Sequence, residues 1–122
     1  DAEPVFVHAN PQVRVDSAKV AVVKGPLVYC VEEADNGENL SSVMVNTDQK
    51  IEETYDDELL EGCSVLHITG KKISEKGWNE GTLYQNRKAE LEDVKLTLVP
   101  YCYWGNRENG EMLVWMKELF YM

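Results

Sequence analysis

Apolar residues in this chain come in short, β-branched runs, and Gly, Pro, Asn or Asp stops most of them within a few residues. No stretch keeps a 3.6-residue apolar period over three turns, so helices are excluded as the main architecture. The runs are Val5-Phe6-Val7 before Asn10-Pro11, Val13-Arg14-Val15 before Asp16-Ser17, residues 19–24, residues 27–31 and Val43-Met44-Val45. Further on come residues 64–69, ended by Gly70, residues 91–103, and residues 112–116. In residues 91–103, Val94, Leu96 and Leu98 fall on one face and Lys95, Thr97 and Val99 on the other. In the last run, Leu113 and Trp115 alternate against Met112, Val114 and Met116. Gly25-Pro26 predicts a bend or bulge between two strand halves, because proline cannot donate to a central ladder. Residues 32–39 are polar, with Asp35-Asn36-Gly37 as a loop signal and room for one short helical turn. Residues 71–90 carry two glycines, mixed charge and no period, and read as a long loop. Many short strands between turn signals predict an all-β fold, an antiparallel β-sandwich of jelly-roll type.

At 122 residues the chain is expected to be one domain spanning 1–122. The formal charge, 12 basic against 22 acidic residues, is −10. An acidic surface repels phosphate backbones and anionic lipid, so neither nucleic acid nor membrane is expected as a partner. No apolar run approaches the ~18 residues of a membrane span. Cys30, Cys63 and Cys102 are odd in number and far from zinc-ligand spacing, so buried free thiols are expected. Location stays open. The cytoplasm is preferred, and export is left open because the chain starts at Asp1 rather than Met.

Chemistry-bearing patterns are few. The acidic residues are too numerous for any one pair to stand out as the two carboxylates of a glycosidase. His67 sits inside a strand, pointing opposite to Leu66 and Ile68, and reads as a surface or satisfied histidine rather than a base. His8 precedes a turn and reads as solvated. Asp35-Asn36-Gly37-Glu38 offers oxygen ligands without the spacing of a calcium loop, and turn chemistry accounts for it. No phosphate loop, nucleophile elbow or dinucleotide fingerprint is present. No catalytic or metal-binding residue is therefore expected. The aromatics remain: Tyr101, Tyr103, Trp104 and Trp78 are the candidate carbohydrate-stacking residues. Strand alternation divides Tyr101 and Tyr103 from Cys102 and Trp104. That favours core and interface packing over a flat sugar platform, with Trp115 and one of these two faces buried.

Two stretches carry a family resemblance. Lys19-Val20-Ala21-Val22-Val23-Lys24-Gly25-Pro26-Leu27-Val28-Tyr29-Cys30, followed by Glu33-Ala34-Asp35-Asn36, resembles a run in glycoside hydrolase family 127, the beta-L-arabinofuranosidase-like proteins. Residues 96–101, Asn106-Arg107 and Gly110-Glu111-Met112-Leu113-Val114-Trp115 resemble a second run of that family. The middle, 49–90, matches loosely. Cys102, Tyr103 and Gly105 depart from the family pattern.

The resemblance implies a position after a helical-barrel catalytic domain, in a bacterial enzyme of carbohydrate metabolism. It implies that the cysteine nucleophile and the zinc site with Glu and Cys ligands lie in that other domain. No cofactor is then expected here, and zinc is implied only for the catalytic domain. The implied role is a non-catalytic accessory domain. Its expected partners are the catalytic domain of the same polypeptide and a second copy in a homodimer. A carbohydrate-binding module is the alternative, and a free-standing enzyme a third reading.

Overall fold

The computed structural model describes residues 2–55, 64–79, 81–101 and 110–120. Among these, nine strands run in chain order: β1 (Pro4–His8), β2 (Lys19–Lys24), β3 (Leu27–Glu32), β4 (Val43–Val45), β5 (Glu52–Tyr55), β6 (Ser64–Ile73), β7 (Leu91–Pro100), β8 (Met112–Leu113) and β9 (Met116–Glu118). The room for one helical turn in residues 32–39 is taken by α1 (Glu33–Asn36), and 3-10 turns occupy Arg14–Asp16 and Leu40–Ser42. The run Val13-Arg14-Val15 was expected as a strand and is part of the first 3-10 turn instead. Val13 and Val15 are both exposed there, so nothing holds them in a ladder.

The all-β expectation holds. The sandwich is replaced by one ladder that closes on itself, in the order β2, β9, β4, β6, β7, β3 and back to β2. β1, β5 and β8 flank this six-stranded barrel. Five seams are antiparallel and the β4–β9 seam is parallel. An odd number of reversals cannot be met by strands lying along one axis, so one seam must be a corner. The β2–β3 hairpin is that corner. Its two six-residue strands share only the pairs Val23↔Val28 and Lys24↔Leu27, then part toward β9 and β8. Gly25-Pro26 is thus a two-residue hairpin loop rather than a bulge. Gly25 takes φ +57° and proline holds a negative φ, the II′ pattern whose twist suits a hairpin.

The barrel interior follows from strand alternation. Val20 and Val22, Tyr29 and Val31, Leu66 and Ile68, and Leu96 and Leu98 all enter one buried cluster with Met116. The Tyr29 hydroxyl donates to the Ser64 carbonyl at 3.1 Å, which satisfies the one polar atom of a fully buried aromatic. Opposite residues of the same strands, Cys30, Val65 and Val99, form a second cluster under Met112 and Val114. Cys30 is buried and in no disulfide; Cys63 and Cys102 lie outside the described residues.

Two expected boundaries move. Leu113 and Met116 both meet the main core, three residues apart. A period-2 strand cannot do that, so the expected strand over 112–116 breaks at Val114-Trp115 into β8 and β9. Trp115 is half-buried. Gly70, expected to end a strand, lies inside β6. A Cβ there would sit 2.7 Å from the Met44 carbonyl oxygen of β4 and 3.5 Å from Leu96 Cδ1. Glycine marks the close approach of two backbones.

Candidate functional site

The sharpest polar geometry sits where the ladder lapses. β3 pairs with β7 only as far as Val31↔Leu98, which leaves the next β7 residue, Thr97, without a strand partner on that edge. Asn36, at the end of α1, fills the gap. Its Oδ1 accepts the Thr97 N–H at 2.7 Å, and its Nδ2 donates to the carbonyls of Thr97 and Glu32, each at 2.9 Å. A second amide does the same on β6. β5 pairs with it up to His67 and β4 from Lys71 onward, so Thr69 lies between two partners. Gln49 Oε1 accepts the Thr69 N–H at 2.9 Å, and its Nε2 donates to the Thr69 carbonyl and to the Asn46 carbonyl, each at 2.8 Å. Each side chain replaces one residue of a missing strand.

Glu33 and Glu111 form a reciprocal clasp. The Glu33 N–H donates to the Glu111 carbonyl, and the Glu111 N–H donates to Glu33 Oε1, each at 2.9 Å. Glu111 Oε1 also accepts the Leu40 N–H at 3.1 Å, at the start of a 3-10 turn. Gly110 passes so close that a Cβ would lie 3.1 Å from Glu33 Cβ. The two stretches that resemble family motifs, residues 33–36 and 110–111, are therefore joined, and Glu33, Asn36 and Glu111 make hydrogen bonds to backbone.

Two of the carboxylates that line the surface grooves, Glu53 and Asp93, are ion-paired. One groove of about 680 Å³ runs between β1 and residues 47–53, with Phe6, Ile51, Glu52 and Glu53 in its walls. Lys24 pairs with Glu53 at its edge and also reaches Ser64 Oγ at 3.4 Å. The hydrogen bond from Lys24, with one from Ser64 and the lysine's charge, holds the Glu53 carboxyl below the usual carboxylate range against a small desolvation cost. A carboxyl depressed in the folded state stabilises above its unfolded pKa, and that contribution is lost as pH falls through the folded value. Glu53→Gln is expected to leave stability less steep on the acid side while keeping its shape above pH 6; denaturant midpoints measured across pH check this. A second groove, about 530 Å³, lies over Gly70, Val94 and Leu119 beside the Lys71–Asp93 ion pair.

No three His, Cys, Asp or Glu side chains converge on one point among the described residues. His67 points away from buried Leu66 and Ile68, and its Nε2 lies 2.9 Å from Thr54 Oγ1 on β5. The four candidate stacking residues are not assembled into a platform by what is described. Tyr101 follows β7 at one end and is half-exposed; Trp78 is partly buried in the connection that leaves β6 at the other end. Ten-residue β7 spans about 30 Å, more than five residues from Ile73 to Trp78 can recover. Tyr103 and Trp104 lie outside the described residues. Sequence reasoning missed Gln49 altogether, since a lone glutamine after a turn carries no signal. Asn36 was quoted for its motif while its use was not seen.

The described residues thus form a small closed β-barrel in which Asn36, Gln49, Glu33 and Glu111 close gaps in the backbone pairing. Its relatives give it a place. The profile of the Glycoside hydrolase family 127 C-terminal domain matches residues 4–117. The chain belongs to that family. A non-reducing end beta-L-arabinofuranosidase of Bifidobacterium longum subsp. longum is 34% identical over 96% of this chain and 18% of its own length. Among solved structures, a GH127 beta-L-arabinofuranosidase from Geobacillus stearothermophilus T6 superposes with TM-score 0.92 at 38% identity, over 98% of this chain and 19% of that one. A GH127 beta-arabinofuranosidase superposes at 0.81 and 36% identity, over 97% and 17%. The chain thus spans about a fifth of the length of the relatives it matches.

Proposed function

We propose that this chain is a non-catalytic accessory domain of a glycoside hydrolase acting on beta-L-arabinofuranosides, and that its work is to pack against the rest of that polypeptide. The observation that carries this is the use of the motif residues. Glu33, Asn36, Gly110 and Glu111 close backbone gaps, and none of them is held ready for proton transfer. Glycoside hydrolysis needs two carboxyl groups facing one sugar bond across about 5 to 10 Å. Here Glu53 pairs with Lys24, Asp93 with Lys71, and Glu33 and Glu111 with backbone. The cysteine nucleophile and the zinc then belong to the catalytic part of the parent enzyme.

The test is direct. The chain on its own, shown to be folded by circular dichroism, is incubated with an aryl beta-L-arabinofuranoside with and without added zinc. Release of the phenol at the uncatalysed rate is expected in both. Turnover that depends on zinc and scales with protein overturns the proposal.

A further inference from the structure

The proposed packing needs a surface, and the strand register marks one. Val5 on β1 pairs with Val23 on β2, and Val23 pairs with Val28 on β3. Residues in register across neighbouring strands share a face. That face is the outer one, because Val22 and Tyr29, the neighbours of Val23 and Val28 along the chain, point into the core. Tyr29 pairs with Pro100, the last residue of β7, and Tyr101 follows that residue in the chain. Val5, Val28 and Tyr101 are 50%, 40% and 50% exposed, and Val23 is partly exposed. A scattered surface valine needs no explanation, whereas a contiguous apolar row does.

The chain comes in at the same place. Ala2 lies against the β2–β3 loop, its Cβ 3.3 Å from where a Cβ on Gly25 would stand. The relatives' chains are about five times longer than the stretch they share with this one, and the matching profile is that of their C-terminal domain. In a polypeptide of that length, the segment before residue 1 arrives beside this row. The most exposed apolar pair among the described residues, Leu83 and Tyr84 at 79% and 88%, belongs to the β6–β7 connection at the far end of those strands.

We propose that the outer row Val5–Val23–Val28, extended by Tyr101, is the face on which the polypeptide preceding residue 1 is seated. This rests on the accessory-domain reading and gives it a location. Tethering at the row's edge makes the contact intramolecular, so a modest apolar area suffices.

Hydroxyl-radical footprinting of the intact polypeptide, read by mass spectrometry, tests it. On this domain's own surface, half-exposed Val28 and Tyr101 would react about twofold slower than in the urea-unfolded chain, and a seated row slows them about fivefold or more. That larger protection, unchanged on dilution, is the expected result. Protection that fades on dilution assigns the row to a second copy and overturns the proposal. Twofold protection at the row with strong protection at Leu83 and Tyr84 overturns the location but leaves the packing reading standing. No protection beyond the domain's own at either place overturns both.

Discussion

Asn36→Ala is expected to destabilise the domain by about 3 kcal/mol, although Asn36 lies on a one-turn helix and is only partly buried. The substitution removes three hydrogen bonds and strips the Thr97 N–H and carbonyl of their partner on that edge. Net hydrogen bonds contribute about 1 kcal/mol each, and a partly buried backbone group left unpaired costs about 1–3 kcal/mol. For a domain this size the fall in thermal midpoint should be about 10 °C. Asn36→Asp separates the roles. The carboxylate still accepts the Thr97 N–H, but it cannot donate, and it sets a negative charge against the carbonyls of Thr97 and Glu32. It should be no better than alanine at neutral pH. Thermal and urea unfolding of the two variants check both statements, and a loss under about 0.5 kcal/mol for alanine would show that water replaces the amide freely.

Gly70→Ala is expected to cost about 2–3 kcal/mol, at the upper end for a single added methyl group. The obstacle is the Met44 carbonyl oxygen, 2.7 Å from the new Cβ, which is backbone and cannot rotate away. Relief requires β4 to lift from β6, where only Val43↔Lys72 and Met44↔Lys71 are paired. β4 also carries the parallel seam to β9, so this strain falls on the closure of the barrel. Amide exchange should quicken at residues 43–45, 71–72 and 116–118 while the β6–β7 ladder stays protected. Unchanged exchange at these positions would show that the strand shifts without breaking its pairing.

The parts of this fold that were legible in the sequence are those with a strict period. Leu66 and Ile68 against His67, and Leu96 and Leu98 against Thr97, are sorted to two faces as alternation requires, because a one-residue slip would expose the whole set. Pairing partners were not legible. The sandwich expectation failed because the ring closes through β9, three residues holding one apolar side chain, Met116, and no period at all. The break at Val114-Trp115 was hidden because the apolar run from Met112 to Met116 is unbroken through it while the faces are not. Gly70 read as a stop because glycine usually ends strands, and the close approach of β4 that requires it is a long-range contact. On the functional side, the resemblance located the chain within its family. Of the candidate stacking residues, Tyr101 follows β7 and Trp78 lies in the connection between β6 and β7.

Motif residues that hold a fold without carrying chemistry affect stability and leave turnover alone. The measurement that tests this most directly is the split between stability and turnover for Asn36→Ala in the intact polypeptide. Unfolding midpoint and kcat on an aryl beta-L-arabinofuranoside are recorded on the same sample, well below the transition. The expected result is a midpoint lowered by about 10 °C and a kcat per folded molecule within about twofold of the parent. A kcat reduced by about a hundredfold at an unchanged midpoint would place Asn36 in the reaction and contradict it.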